Sequence, residues 1–328
     1  MGDGSNTIDA TRRREGYTGE PEGAPAAGTP AASAGRTAFE DAPYKMYRWI
    51  TGDTCDKAGR FHDYDACVGK EVSGAGHKAE LFVQEAGDAA DVDPKDVVQN
   101  GLGDCYLMAT LAGLAATPEG RALIHDALRE NKDSTGNVVS YSVRLFDTEH
   151  HLLEGATVVP KWIEVPADEY IQGHAALRSD GAHDELWPLV IEKAYAQLRG
   201  GYNEIAKGGY PADALKALTG KAATTMEAAT VTAQQIKQAL DAHKVVVLST
   251  RPDLTPLHNS CDPKQLPADN KSCIVPNHAY VVTRMEDAGQ GEVMLHLGNP
   301  WNDPKWQPPS FRLSDLAKSF AFVDVGSP

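Results

Sequence analysis

A chain of 328 residues with 41% hydrophobic and 23% charged residues carries enough apolar material for a sizeable core, which excludes a wholly disordered or collagenous protein. The longest apolar run, 107–116, is about half of the ~18–20 residues a membrane-crossing helix needs. With 31 Lys and Arg against 46 Asp and Glu the net charge is −15, which repels phosphate backbones; the one tight basic cluster, Arg12-Arg13-Arg14, is short, so no nucleic-acid partner and no membrane span are expected.

Residues 1–43 read as a disordered tail, because 20–36 is dominated by Gly, Pro, Ala and Ser with little to bury. No charged segment followed by an apolar one opens the chain, so a Sec signal peptide is not expected. Aromatic residues return at 44–84 (Tyr44, Tyr47, Trp49, Phe61, Tyr64), a lead-in segment expected to pack on a core that runs over 85–328. Five cysteines are present. Cys55 and Cys67, and again Cys261 and Cys273, are twelve positions apart in loop-like sequence, while Cys105 stands alone. Two disulfides with one free thiol, and five reduced cysteines, are both compatible with this spacing.

Within the core, 104–116 is expected to be a helix with Leu107, Met108, Leu111 and Leu114 on one face, fed by a tight loop at Gly101 and Gly103. Val139, Tyr141, Val143 and Leu145 alternate with polar residues as in a half-buried strand. A second helix is expected over 185–198, with Pro188 tolerated in its first turn, and shorter helices over 213–218 and 233–242. Strands follow at 244–250, 279–285 and 292–298, the last two joined by a glycine-bearing turn. Helices first and strands later indicate an α+β protein.

Cys105 falls in the first turn of the apolar helix. Partial positive charge and unpaired N–H groups there stabilise a thiolate and can face an oxyanion. A buried structural cysteine is the competing reading. His278 opens one strand and Asn299 closes the next. A hairpin symmetric about its turn would set these two directly opposite, where the amide oxygen can accept from one imidazole nitrogen and leave the other for the thiol.

Four motifs in order then carry a family resemblance: Gln99-x-Gly-x-Gly-Asp-Cys105, Leu186-Trp187-Pro188-Leu189-Val190-Ile191-Glu192-Lys193-Ala194-Tyr195-Ala196, Asn277-His278-Ala279-Tyr280-Val281-Val282-Thr283, and Gly298-Asn299-Pro300-Trp301. Together they resemble the catalytic core of the calpain-like cysteine proteases. The resemblance implies a papain-like fold with a helical lobe at about 85–207, a β-rich lobe at about 208–328 and a cleft between them. It implies Cys105 as nucleophile, His278 as base and then acid, and Asn299 as the group that orients the imidazole. Gln99 would donate to the oxyanion hole, Trp301 would shield the His–Asn bond, and Gly209 would pair with an extended substrate. No cofactor is required; a calcium ion would draw on Asp96 and Glu185. The chain departs from the family pattern in Asn277, which replaces a glycine before the histidine, in Tyr106, which replaces a tryptophan, and in Lys305, which takes an acidic position.

The implied activity is cleavage of a protein or peptide through a thioester, with an inhibitor or immunity protein as a further partner. A catalytically silent binding module and an acyltransferase or amidase are the alternatives. A single core without appended calcium modules looks more bacterial than animal, and disulfides with a tail point to an effector exported by a non-Sec route; a cytoplasmic protein is the alternative.

Overall fold

The computed structural model describes residues 68–69, 78–84, 88–147, 158–167, 170–171, 178–179, 183–252, 274–302, 308 and 310–328. The expected tail, most of the lead-in segment, Lys305, and Cys55, Cys67, Cys261 and Cys273 lie outside them. In chain order the elements are β1 (Val68–Gly69), β2 (Lys78–Glu80), α1 (Cys105–Ala115), α2 (Pro118–Ala127), β3 (Leu128–Lys132), β4 (Val138–Phe146), β5 (Pro160–Pro166), β6 (Tyr170–Ile171), β7 (Arg178–Ser179) and β8 (His183–Glu185). Then come α3 (Trp187–Arg199), α4 (Tyr202–Ile205), α5 (Pro211–Thr219), β9 (Ala223–Glu227), α6 (Ala233–Asp241), β10 (Val245–Thr250), β11 (Ala279–Gly289), β12 (Glu292–Gly298), β13 (Phe311–Arg312), α7 (Leu316–Ser319) and β14 (Phe320–Gly326).

The helix that carries Cys105 is a core helix. Every residue of α1 from Tyr106 to Ala115 is buried, because a sequence of Leu, Met, Ala, Gly and Thr offers no polar face. It packs on β10 and β11 on one side and on α2 and α5 on others. Gly113 permits the close approach to the sheet: a Cβ there would lie 2.5 Å from Val245 Cγ1. Thr117 starts α2 by accepting from the Gly120 N–H at 3.0 Å, with Pro118 in the first turn. That Thr-Pro pair is a helix-start signal the reading above passed over. In α3, Pro188 sits in the first turn as expected, residues Trp187 to Ala196 are all buried, and Gly200 closes the helix at φ +94°.

The C-terminal sheet has strand order β13-β12-β11-β10-β14-β9, antiparallel throughout. Both faces are covered. Val245, Val247, Ala279 and Val281 join the helices in one core, and Val246, Leu248, Tyr280, Val282, Leu295, Leu297, Phe320 and Val323 build a second core with Ile236 and Ala239 of α6. Burial on two faces is why β10 reads as an unbroken apolar run. On the helical side, β3-β4-β5 forms a three-stranded antiparallel sheet against which α3 and α5 pack. Helices and sheets so arranged make an α+β, papain-like fold.

The β11–β12 hairpin corrects one expectation. Strand β11 runs on to Gly289, and the turn is tighter than expected, with Gln290 and Gly291 at φ +56° and +79°. Val281 pairs with Gly298, and irregularities follow at Val282/Arg284 and Asp287/Gly289. This register is two residues away from the one that would oppose His278 to Asn299. Both residues lie just beyond the ladder; the turn centres two residues later than a symmetric count assumed, and the two irregularities take back part of that offset.

Candidate active site

The thiol and the imidazole come from segments far apart in sequence, the start of α1 and the residue just before β11. Asp104 precedes α1 and caps it through its carbonyl alone, which accepts from the Leu107 and Met108 N–H groups at 2.8 and 3.1 Å. The Cys105 thiol lies against the backbone N–H of Ala279, the residue after His278. The loop just before α1 is tight, since at Gly103 a Cβ would lie 2.2 Å from the carbonyl oxygen of Ala206.

His278 is 3% exposed. Its Nε2 is 2.9 Å from Asn299 Oδ1, so the bond expected from a directly opposed pair exists with a different backbone geometry. Asn299 Oδ1 also accepts from the Trp301 N–H at 3.1 Å. That second donor fixes which end of the amide is oxygen, so Nε2 of the imidazole must be the protonated nitrogen and Nδ1 carries the lone pair. Behind the ring, Thr250 Oγ1 accepts from the His278 N–H at 2.8 Å. The indole of Trp301 packs on the imidazole at a centroid distance of 4.7 Å and is itself 5% exposed, and Tyr280 meets the ring edge-on at 5.0 Å. The His–Asn bond is thus closed off from water.

Asn277 stands at φ +50°. That left-handed conformation is taken most easily by glycine and next by asparagine, which gives the departure at this position a physical meaning. The Asn277 side chain is exposed.

One main-chain and one side-chain hydrogen bond join the segment before α1 to the segment after β12. The Gln99 N–H donates to the Pro300 carbonyl at 2.7 Å, and Asn302 Nδ2 donates to the Lys95 carbonyl at 2.7 Å. The Gln99 side chain is buried, and its Nε2 donates one hydrogen to the Leu102 carbonyl at 2.7 Å. Gly209 passes directly over Tyr106, where a Cβ would fall 2.6–2.9 Å from ring carbons. This packing is a reason for glycine at 209 that is separate from substrate.

Burial dominates the electrostatics. It pushes the Cys105 thiol up to about 12, outweighing the N–H groups of Ala279, Tyr106 and Cys105 that favour the thiolate. Cys105 as a residue is half-buried and forms no disulfide among the described residues. Burial also takes His278 down to about 4, against the opposing effect of the Asn299 hydrogen bond. Burial thus works against the charged form of both groups, opposite to the pull of the helix terminus on the thiol.

Asp96 and Glu185 are almost fully buried. Asp96 Oδ2 accepts from the Asp93 N–H at 2.5 Å and from Trp187 Nε1 at 3.1 Å. Glu185 Oε1 accepts from the Val83 N–H at 3.0 Å. Asp91 is instead paired with His125. Among the described residues no group of three or more His, Cys, Asp or Glu side chains gathers around a metal-sized space. Two carboxylates already bound to N–H donors are a poor fit for a cation that takes six or more oxygens. The sequence reading did not single out Asp104, Glu192 or Thr250; only the adjacency of Asp104 to Cys105 gave any signal.

A two-lobed α+β fold with a thiol at the start of its central helix and an imidazole–amide pair on the facing sheet has the architecture of the papain-like thiol hydrolases. The chain belongs to the calpain family: the model for calpain family cysteine proteases matches residues 79–319. It is 26% identical to human calpain-8 over 238 residues, covering 70% of this chain and 30% of that protein. Identity is 25% to mouse calpain-9 over 239 residues (70% and 31%) and 26% to calpain-B of Drosophila melanogaster over 261 residues (72% and 25%). The chain spans under a third of the length of these relatives. No helix among the described residues is long and apolar enough to cross a membrane.

Proposed function

We propose that this protein is a cysteine endopeptidase that works through Cys105, His278 and Asn299. The observation that carries the reading is the buried His278–Asn299 bond, covered by Trp301, beside a thiol that touches the next residue of the same strand. Cys105 Sγ attacks the scissile carbonyl carbon while its proton passes to His278 Nδ1. The imidazolium so formed is held by Asn299. The negative oxygen of the tetrahedral intermediate is met by the Cys105 N–H and by the second hydrogen of Gln99 Nε2. When the C–N bond breaks, His278 returns its proton to the leaving amine. Water activated by the same imidazole then hydrolyses the thioester. An extended substrate would lie along the backbone of Gly209 and be read mainly by its main chain.

No step uses a metal, so casein cleavage should be the same in excess chelator and in millimolar calcium. Calcium at Asp96 and Glu185, which the family resemblance implies, is left out of this proposal because both carboxylates already accept from N–H donors; an upward shift of the melting temperature with calcium, lost in Asp96→Asn, would reverse that. The exported-effector setting rests on disulfides Cys55–Cys67 and Cys261–Cys273, and free thiols at all four positions in the native protein would remove it. For the activity, an epoxide or iodoacetamide probe should label the wild type and not Cys105→Ala. Wild-type protein that neither labels nor cleaves casein would overturn the reading, and product masses separate hydrolysis from acyl transfer.

A further inference from the structure

The turn that ends in His278 is closed by a hydroxyl from another strand. Strands β10 and β11 pair with Ser249 opposite Ala279, so the next step of the ladder sets Thr250 opposite His278. Residues in a hydrogen-bonded antiparallel pair exchange both main-chain bonds. Here the main chain makes only one of them: the Thr250 N–H donates to the His278 carbonyl at 2.9 Å. The His278 N–H donates instead to Thr250 Oγ1 at 2.8 Å. That hydroxyl lies 2.9 Å from the Val275 carbonyl and 3.1 Å from the His278 carbonyl. It has one hydrogen to give. The Val275 carbonyl is the nearer acceptor, and the His278 carbonyl already holds the Thr250 N–H.

Pro276 followed by Asn277 at φ +50° is the residue order of a type II turn over 275–278. Such a turn is commonly closed by a bond from its fourth N–H to its first carbonyl. In this chain the Thr250 hydroxyl stands between those two groups and joins them. The other N–H groups of the turn are tied as well, Val275 to Tyr280 Oη at 2.9 Å and Asn277 to the Arg251 carbonyl at 3.3 Å. Thr250, Val275 and His278 are all buried, so bulk water does not stand in for the hydroxyl.

We propose that Thr250 is a positioning residue for the base: by bridging the Val275 carbonyl and the His278 N–H, its hydroxyl fixes the main chain of His278 and so the bearing of the imidazole on Cys105 and Asn299. The role rests on the endopeptidase reading above; the hydroxyl bridge does not. Thr250 holds His278 on both sides of its Cα, through the N–H and through the carbonyl, and this sets the direction in which the side chain leaves the backbone. Without the hydroxyl a buried N–H and a buried carbonyl both lose a partner. A turn that relaxes to pair them with each other draws His278 away from β10. Displacements of about 1 Å at such a site cost on the order of a hundredfold in rate.

The test compares Thr250→Val, which keeps the shape and removes the hydroxyl, with Thr250→Ser, which keeps the hydroxyl. Thr250→Ala replaces the valine variant if a methyl set against two polar groups prevents folding. At a temperature where each protein is fully folded, Thr250→Val should lower kcat about tenfold to a hundredfold with little change in KM, and Thr250→Ser should stay within about threefold of wild type. Two readouts need no turnover. In wild type the His278 main-chain N–H should exchange with solvent as slowly as the amides within β11, although it precedes that strand. The imidazole Nε2–H bonded to Asn299 should give a slowly exchanging NMR signal, assigned by its loss in His278→Gln. Its exchange should quicken at least about tenfold in Thr250→Val and not in Thr250→Ser. Rapid exchange of the His278 amide in wild type overturns the bridge. Wild-type kcat in the folded variant that lacks the hydroxyl, or Thr250→Ser as impaired as that variant, overturns the positioning role. If the wild type cleaves nothing, the endopeptidase reading falls, and the two exchange measurements still decide whether Thr250 holds His278.

Discussion

At the scale of single residues, the site works by fixing one nitrogen. Asn299 Oδ1 receives hydrogens from His278 Nε2 and from the Trp301 main chain, which leaves Nδ1 as the only base. Asn299→Ala should therefore keep the fold and lose about two orders of magnitude in kcat, since the imidazolium loses its partner and its orientation; single-turnover kinetics would show it. The buried imidazole also sets a pH dependence. His278 is held down at about 4, below the unfolded value near 6.5. Between these values the unfolded chain binds the proton and the folded one does not, so stability falls as pH drops through this window, by about 3 kcal/mol at most. His278→Gln should flatten urea midpoints between pH 4 and pH 6.5 relative to wild type. Asn277→Gly, by contrast, should leave activity and stability within about 1 kcal/mol, because the side chain is exposed and glycine accepts φ +50° without strain.

At the scale of elements, α1 is held between helices and sheet with no slack. Gly113 faces Val245 and Val281 across the contact that sets the height of Cys105 relative to β11. Gly113→Ala should cost roughly 1–3 kcal/mol by overpacking against Val245 and Val281 and should also reduce kcat as α1 moves off the strand that follows His278. Thermal denaturation and kcat measured on one preparation would link the two effects. The loop before α1 is equally constrained, since Gly103 meets a backbone carbonyl, which cannot swing aside as a side chain can.

At the scale of the whole molecule, the two halves share one core. Val245, Val247, Ala279 and Val281 of the sheet are buried with the residues of α1, α3 and α5, so neither half can lose its packing alone. Urea unfolding should be a single transition, with loss of near-UV circular dichroism coincident with exposure of the Cys105 thiol to a disulfide reagent. Two separated transitions would show that the halves fold independently.

The helices about the candidate site were legible locally. A run such as Cys105–Ala115 has no polar face and must be buried, and Pro188 and Gly200 punctuate α3 by fixed backbone preferences. The order of the four motifs was enough to indicate the family and the fold. Tertiary structure decided what depends on distance between separate segments. It displaced the hairpin register by two residues and still brought His278 to Asn299, because irregular pairing shifts backbone without forbidding side-chain reach. It set burial against the helix terminus at Cys105, where removal from water raises the thiol and the nearby N–H groups favour the thiolate.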